Sequence, residues 1–164
     1  MSSLAVALIA ELTARKLTIA VAESLTGGLL VAELIRPAGA SAVVLGGVVA
    51  YNTELKHTLL GVDSALLADH GAVHPCVAKQ LAGGVRERLA VNGRAADIGI
   101  ATTGVAGPDP QDTVAPGTVY LGLSMGETTL ARELTLAGTR DQVREETVGV
   151  ALAWLAEALE RGLG

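Results

Sequence analysis

The sequence predicts an α/β fold: a three-layer α/β/α arrangement on a mixed sheet. Short β-rich apolar runs alternate with segments of helical spacing along most of the chain, the pattern of strand–helix crossovers. Two further strand-like runs then face each other across Gly126-Glu127 as an antiparallel hairpin. Half of the 164 residues are apolar, yet only Tyr51, Tyr120 and Trp154 are aromatic. The core is therefore built from Ala, Val, Leu and Ile, which suits buried strands with helices packed closely over them.

In chain order, Leu4, Leu8 and Leu12, with Ile9 alongside, make one helical stripe, capped by Ser2 or Ser3. Residues 18–22 read as a short buried strand that runs into Glu23-Ser24-Leu25-Thr26-Gly27-Gly28. A second helix is expected over residues 26–36, stopped by Pro37. Residues 42–51 form a continuous apolar run, read as a central strand, with Gly46-Gly47 marking a bulge or a close backbone approach. A short helix over residues 53–60 ends at Gly61, and another begins at Asp63. Pro75 suits the first position of a longer helix reaching about residue 90. Residues 97–103 are the third strand, and residues 104–117, with three prolines, are an irregular loop. The hairpin pairs residues 118–125 with 128–136. Thr139-Arg140-Asp141-Gln142 has the form of a capping box. Val143, Thr147, Val150, Trp154 and Ala158 then place one face of a long amphipathic last helix.

A chain of this length is read as a single domain over residues 1–164. Its net charge of -5 comes without a basic cluster, which argues against a nucleic-acid partner. Cys76 is alone, so no intrachain disulfide forms, and a reducing, cytoplasmic location is expected. The apolar stretch at residues 4–10 has no preceding cation and ends at Glu11, unlike a signal peptide. The longest apolar run, residues 42–51, falls well short of the roughly 20 residues that cross a bilayer.

The most informative stretch for chemistry is the strand–turn–helix at Ser24. A serine there stands at the carboxyl edge of the sheet, where α/β proteins bind ligands. Gly27 and Gly28 let backbone approach a ligand, and the amides around Thr26, Gly27 and Gly28 are candidates for holding an oxyanion or a phosphate. The plainer reading is that Ser24 and Thr26 only cap the helix. A second segment, Tyr51-Asn52-Thr53-Glu54-Leu55-Lys56, also leaves a strand and enters a helix. Lys56 can serve as base to a serine nucleophile if its amine is neutral, which requires a lowered pKa. Tyr51 can relay a proton or orient that amine. The plainer reading makes Lys56 an exposed helix residue.

Thr102, Thr103, Gly104 and Gly107 form a hydroxyl- and glycine-rich cradle after the third strand, without a dinucleotide or P-loop pattern. Arg140 sits in the first turn of the last helix, where the dipole disfavours a cation. That points to an anionic partner, although a surface salt bridge explains it equally well. His57, His70 and His74 fit no zinc spacing, so no metal is expected.

Taken together, Ala22-Glu23-Ser24-Leu25-Thr26-Gly27-Gly28, the run 47–56, Gly71-Ala72-Val73, the run 103–109 and Pro116-Gly117-Thr118-Val119 resemble the CinA C-terminal domain family. The resemblance runs from Thr18 to the last helix. It implies a three-layer α/β/α fold with a five-stranded mixed sheet, and nicotinamide-nucleotide amidase activity: nicotinamide mononucleotide is converted to nicotinate mononucleotide with release of ammonia. The family's Ser-Lys-Tyr group falls on Ser24, Lys56 and Tyr51. Larger members carry a molybdopterin-binding-like domain ahead of this one, so the chain is expected to be the stand-alone form.

Several positions depart from the family pattern. Leu25 replaces a frequent Cys, Asn52-Thr53 a frequent Ser-Asn, His74 the usual Ser, and Gly138-Thr139-Arg140 a frequent Gly-Asp-Arg. None removes the nucleophile or base. The expected reaction is acyl transfer through Ser24 and Lys56, with no cofactor. The expected partner is a small-molecule nucleotide substrate, with no nucleic acid and no membrane, and with a homo-oligomer of this chain left open. The rival reading is a non-catalytic nucleotide-binding or interaction module linked to competence or the DNA damage response. A rival of that kind has no need of a paired Ser and Lys.

Overall fold

The structure, a computed structural model, describes residues 2–162. In chain order the elements are α1 (Ser2–Arg15), β1 (Ile19–Glu23), α2 (Leu29–Ile35), β2 (Val44–Val49), α3 (Thr53–Leu60), α4 (Ser64–His70), α5 (Pro75–Arg88), β3 (Ile98–Gly104), β4 (Thr118–Met125), β5 (Thr128–Thr135) and α6 (Arg140–Glu160). A single 3-10 turn at Ala40–Ala42 precedes β2. The five strands form one mixed sheet in the order β2-β1-β3-β4-β5. β1 is parallel to β2 and to β3, while β4 is antiparallel to both β3 and β5.

Side-chain alternation along β1 builds the layers. Ile19 and Val21 join one core with Leu8 and Leu12 of α1, Leu30 and Leu34 of α2, and the inner face of α6. Ala20 and Ala22 point the other way, toward Leu60 of α3 and Val77, Leu81 and Val85 of α5. The second face is lined with small residues because α5 lies nearly on the strands. A Cβ at Gly99 would overlap the Ala82 carbonyl oxygen, and one at Gly122 the Ala78 carbonyl oxygen. Glycine removes the atoms that would hold helix and sheet apart.

Two expectations are corrected. Residues 42–51 are not a central strand: β2 is the sheet's edge, only partly buried along its length, while β1 lies between β2 and β3, and β3 is the middle strand of the five. The shift in pairing from Ile19 opposite Val44 to Ala20 opposite Gly46 leaves Leu45 extra, a bulge at the expected place. The second helix starts later than residue 26. Gly27 and Gly28 adopt φ of 60° and 103°, a left-handed turn, and α2 begins only at Leu29. The last helix opens on the full capping box of Thr139 and Gln142. Val143, Thr147, Trp154 and Ala158 are buried along it. Among the described residues, no helix is long and apolar enough to cross a membrane.

Candidate active site

Parallel β1, β2 and β3 end at one edge, and the residues that follow them meet there. Ser24 follows β1, Ala50 and Tyr51 follow β2, and Thr103 and Gly104 finish β3. Together with α3 and the start of α6 they enclose a cavity of about 200 Å³ lined by Ser24, Tyr51, Lys56, Thr103, Gly107 and Arg140, among others.

Asn52 opens α3 by accepting from the Glu54 amide at 2.9 Å. The helix turns Lys56 inward, where its side chain is 1% exposed. Its Nζ lies 3.1 Å from Ser24 Oγ and donates to the Ala50 carbonyl at 2.6 Å. Lys56 is thus a buried amine rather than the exposed helix residue of the plainer sequence reading. No carboxylate pairs with it among the described residues, and burial pushes its pKa down to about 8. Nζ donates to Ser24 Oγ when charged; once neutral, it can keep one N–H on the Ala50 carbonyl and offer its lone pair to the Ser24 hydroxyl.

Neither Ser24 nor Thr26 caps α2. Glu23, 2% exposed, does so instead: its carboxylate accepts from the amides of Gly28 at 3.0 Å, Leu30 at 3.0 Å and Val31 at 2.9 Å. Gly27 N–H donates to the Ser24 carbonyl at 3.1 Å. This corrects the anion cradle read from Gly27 and Gly28, because both amides are already taken and neither residue lines the cavity. Thr26 and Thr102 also lie behind the cavity. Their hydroxyls share a hydrogen bond at 2.8 Å, and Thr102 Oγ1 accepts from the Ser24 amide at 3.4 Å. Thr103 lines the cavity while its hydroxyl donates to the Ala72 carbonyl at 2.7 Å.

Tyr51 is 60% exposed at the mouth. Its hydroxyl accepts from Arg140 Nη2 at 2.9 Å, and no hydrogen bond joins it to Ser24 or Lys56 among the described residues. Proton relay to Lys56 is therefore not the contact it makes. Arg140 also donates to the Gly107 carbonyl at 2.9 Å, so it ties the loop after β3 to the residue after β2. Both partners are neutral, which removes the surface salt bridge offered for it. His74 is the N-cap of α5, its Nδ1 accepting from the Cys76 amide at 3.2 Å. No three His, Cys, Asp or Glu side chains are grouped to hold a metal among the described residues.

Two residues at the site escaped sequence reasoning. Glu23 was visible as an acid directly before a glycine turn and a helix start. Arg144 donates to the Leu25 carbonyl at 3.0 Å. It carries the signal already used for Arg140, a cation near a helix N-terminus.

The class defined by this geometry is a three-layer α/β domain with a buried Ser–Lys pair at the carboxyl edge of its parallel strands. Comparison with known proteins narrows the class. The family model for the CinA C-terminal domain matches residues 1–159, and the chain belongs to that family. It is 48% identical over 141 residues to a CinA-like protein of Frankia casuarinae, covering 86% of this chain and 31% of the relative. It is 45% identical over 150 residues to a putative competence-damage inducible protein of Geobacillus kaustophilus, covering 91% and 35%. The chain thus spans about a third of the length of these curated relatives. Among solved structures, a CinA superfamily protein of Klebsiella pneumoniae superposes with a TM-score of 0.91 at 30% identity, over 98% of both chains. The competence/damage inducible protein CihA of Agrobacterium tumefaciens gives 0.89 at 34% identity, over 97% of this chain and 94% of that one.

Proposed function

We propose that the protein is a nicotinamide-nucleotide amidase that uses Ser24 as nucleophile and Lys56 as base. The observation that carries this reading is the 3.1 Å contact between Ser24 Oγ and the buried Lys56 amine, open to a cavity at the sheet edge. An amine lowered to about 8 is neutral in about a tenth of molecules at pH 7 and is matched to proton transfer near neutrality.

In the first half-reaction, neutral Lys56 takes the Ser24 proton as Oγ bonds to the carboxamide carbon. Lys56 returns that proton to the amide nitrogen, the C–N bond breaks and ammonia leaves. Water then gives a proton to Lys56 and attacks the acyl carbon. The acid departs, and Ser24 Oγ recovers the proton. Each half-reaction restores the neutral amine, and no cofactor or metal takes part.

The cavity is below the roughly 300–1000 Å³ of a drug-sized pocket. It suits the planar reacting end of a nucleotide, leaving ribose and phosphate at the mouth beside Tyr51 and Arg140. The substrate is the one implied by the family resemblance, and the proposed setting is cytoplasmic pyridine-nucleotide recycling. Ammonia release from nicotinamide mononucleotide tests this, with the riboside as a second substrate. Ser24→Ala is expected to fold and to lose about a thousandfold or more of the rate. Absence of wild-type turnover, or an active and folded Ser24→Ala protein, refutes the reading; the former favours the non-catalytic module.

A further inference from the structure

The turn that carries Ser24 is gripped by a residue to which the proposed reaction assigns no part. Arg144 lies in the second turn of α6 with 27% of its side chain exposed. Its Nε donates to the Leu25 carbonyl at 3.0 Å and its Nη2 to the Thr26 carbonyl at 3.5 Å. These are the two carbonyls directly after the nucleophile. Its Nη1 meets Asp141 at 3.2 Å, but that carboxylate is 80% exposed, and such pairs contribute little. What favours Arg144 here is the pair of carbonyls.

A trans peptide unit is planar, so its C=O and N–H point in opposite directions. Fixing the Leu25 carbonyl on Arg144 therefore fixes the Thr26 N–H, which belongs to the same unit, to point away from the guanidinium. A charged donor on the carbonyl also polarises the unit and strengthens that N–H as a donor. The next unit is held in the same way: Thr26 C=O faces Arg144, and Gly27 N–H closes the turn onto the Ser24 carbonyl at 3.1 Å. The Leu25 and Thr26 amides make no hydrogen bond among the described residues, although both residues are buried. Buried amides without a partner are rare, and these two immediately follow the nucleophile.

We propose that Arg144 is a positioning residue for Ser24, tying back the Leu25 and Thr26 carbonyls so that the turn holds the nucleophile, and the Leu25 amide that follows it at the cavity wall, in place for the attack. The role rests on Ser24 being the nucleophile. Glu23 at the end of β1 and Thr102 of β3 brace the same turn through the Gly28 and Ser24 amides, and Arg144 is its only brace from α6 among the described residues.

The test separates this role from the identity of the natural substrate. Full-length protein is treated with p-nitrophenyl acetate. Ser24 Oγ takes the acetyl group, its proton passes to Lys56, and p-nitrophenolate leaves; peptide mass spectrometry locates the acetyl group, with Ser24→Ala as control. Arg144→Ala is expected to slow acetylation of Ser24 tenfold to a hundredfold, roughly the penalty of a misplaced reacting group. The midpoint of the Lys56 limb in the pH–rate profile should stay in place. Added guanidinium should restore part of the loss, which repair of a merely loosened fold does not predict. Arg144→Lys, which keeps the charge but not the two-carbonyl fork, should fall between wild type and Arg144→Ala, and it serves if the alanine variant does not fold. Wild-type acetylation rates in either folded variant overturn the role. A shifted Lys56 midpoint, or a loss that guanidinium leaves unchanged, also counts against it. If wild-type Ser24 is not acetylated at all, the nucleophile assignment itself fails, and Arg144 has nothing to position.

Discussion

Replacing Lys56 with Met should stabilise the protein near neutral pH and destabilise it in alkali. The buried amine has its pKa lowered from 10.5 to about 8 by desolvation. At about 1.4 kcal/mol per unit, holding the charged form inside costs about 3 kcal/mol at pH 7. Lys56→Met removes that cost and nearly preserves the packing, but the Ala50 carbonyl loses its 2.6 Å donor, which subtracts roughly 1–3 kcal/mol. The variant is therefore expected to be more stable by about 1 kcal/mol at pH 7, while losing activity. The pH dependence isolates the charge, because the lost hydrogen bond is independent of pH. Between 8 and 10.5 the unfolded chain binds the proton that the folded chain has released, so wild-type stability rises with pH there. The Lys56 contribution is fully present above the unfolded pKa and is lost as pH falls through about 8. Wild type should regain about 2–3 kcal/mol on the variant between pH 7 and pH 10, reversing their order. Urea unfolding of both proteins at pH 6, 7, 8, 9 and 10 measures it. A difference that stays constant across that range would show that the amine is not perturbed and would remove it as a base.

Three further outcomes are expected. Arg140→Ala should weaken the nucleotide more than the riboside, because a substrate phosphate can displace the neutral Tyr51 and Gly107 partners of this cation; steady-state kinetics with equal losses for both substrates would make Arg140 structural. Glu23→Gln should cost roughly 2–4 kcal/mol in urea unfolding, since the amides of Gly28, Leu30 and Val31 would meet a side chain with one acceptor oxygen; an unchanged midpoint refutes the cap. Gly122→Ala should cost about 1–3 kcal/mol or more by overpacking against the α5 backbone at Ala78, read as a lowered Tm with activity retained in the folded fraction.

Much of the fold was legible because it is written in local terms. Hydrophobic spacing along α1 and α6, the helix starts at Asp63 and Pro75, the capping box of Thr139 and Gln142, and the turn at Gly126 each act within a few residues. The edge position of β2 is not legible there, because a continuous apolar run does not say which strands flank it. Its edge position follows because it pairs with β1 alone while β3 takes the other side of β1, a relation between segments far apart in the chain. The start of α2 is hidden for a different reason: Gly27 and Gly28 fit a helix start or a ligand cradle equally well in sequence, whereas their left-handed φ values make them a turn.

The sequence alone determined that strands and helices alternate, that Ser24 follows one strand and Lys56 the next, and which residues start and stop most helices. Family membership was also readable there, because motif order is a property of the chain. Only the tertiary structure decided that Lys56 is buried at 3.1 Å from Ser24, that Tyr51 turns to Arg140, and that Glu23 and Arg144 take opposite ends of the nucleophile turn. These contacts join residues up to 119 positions apart. Their energies depend on burial and on the direction of single peptide units, which exist only once the three strands share one edge.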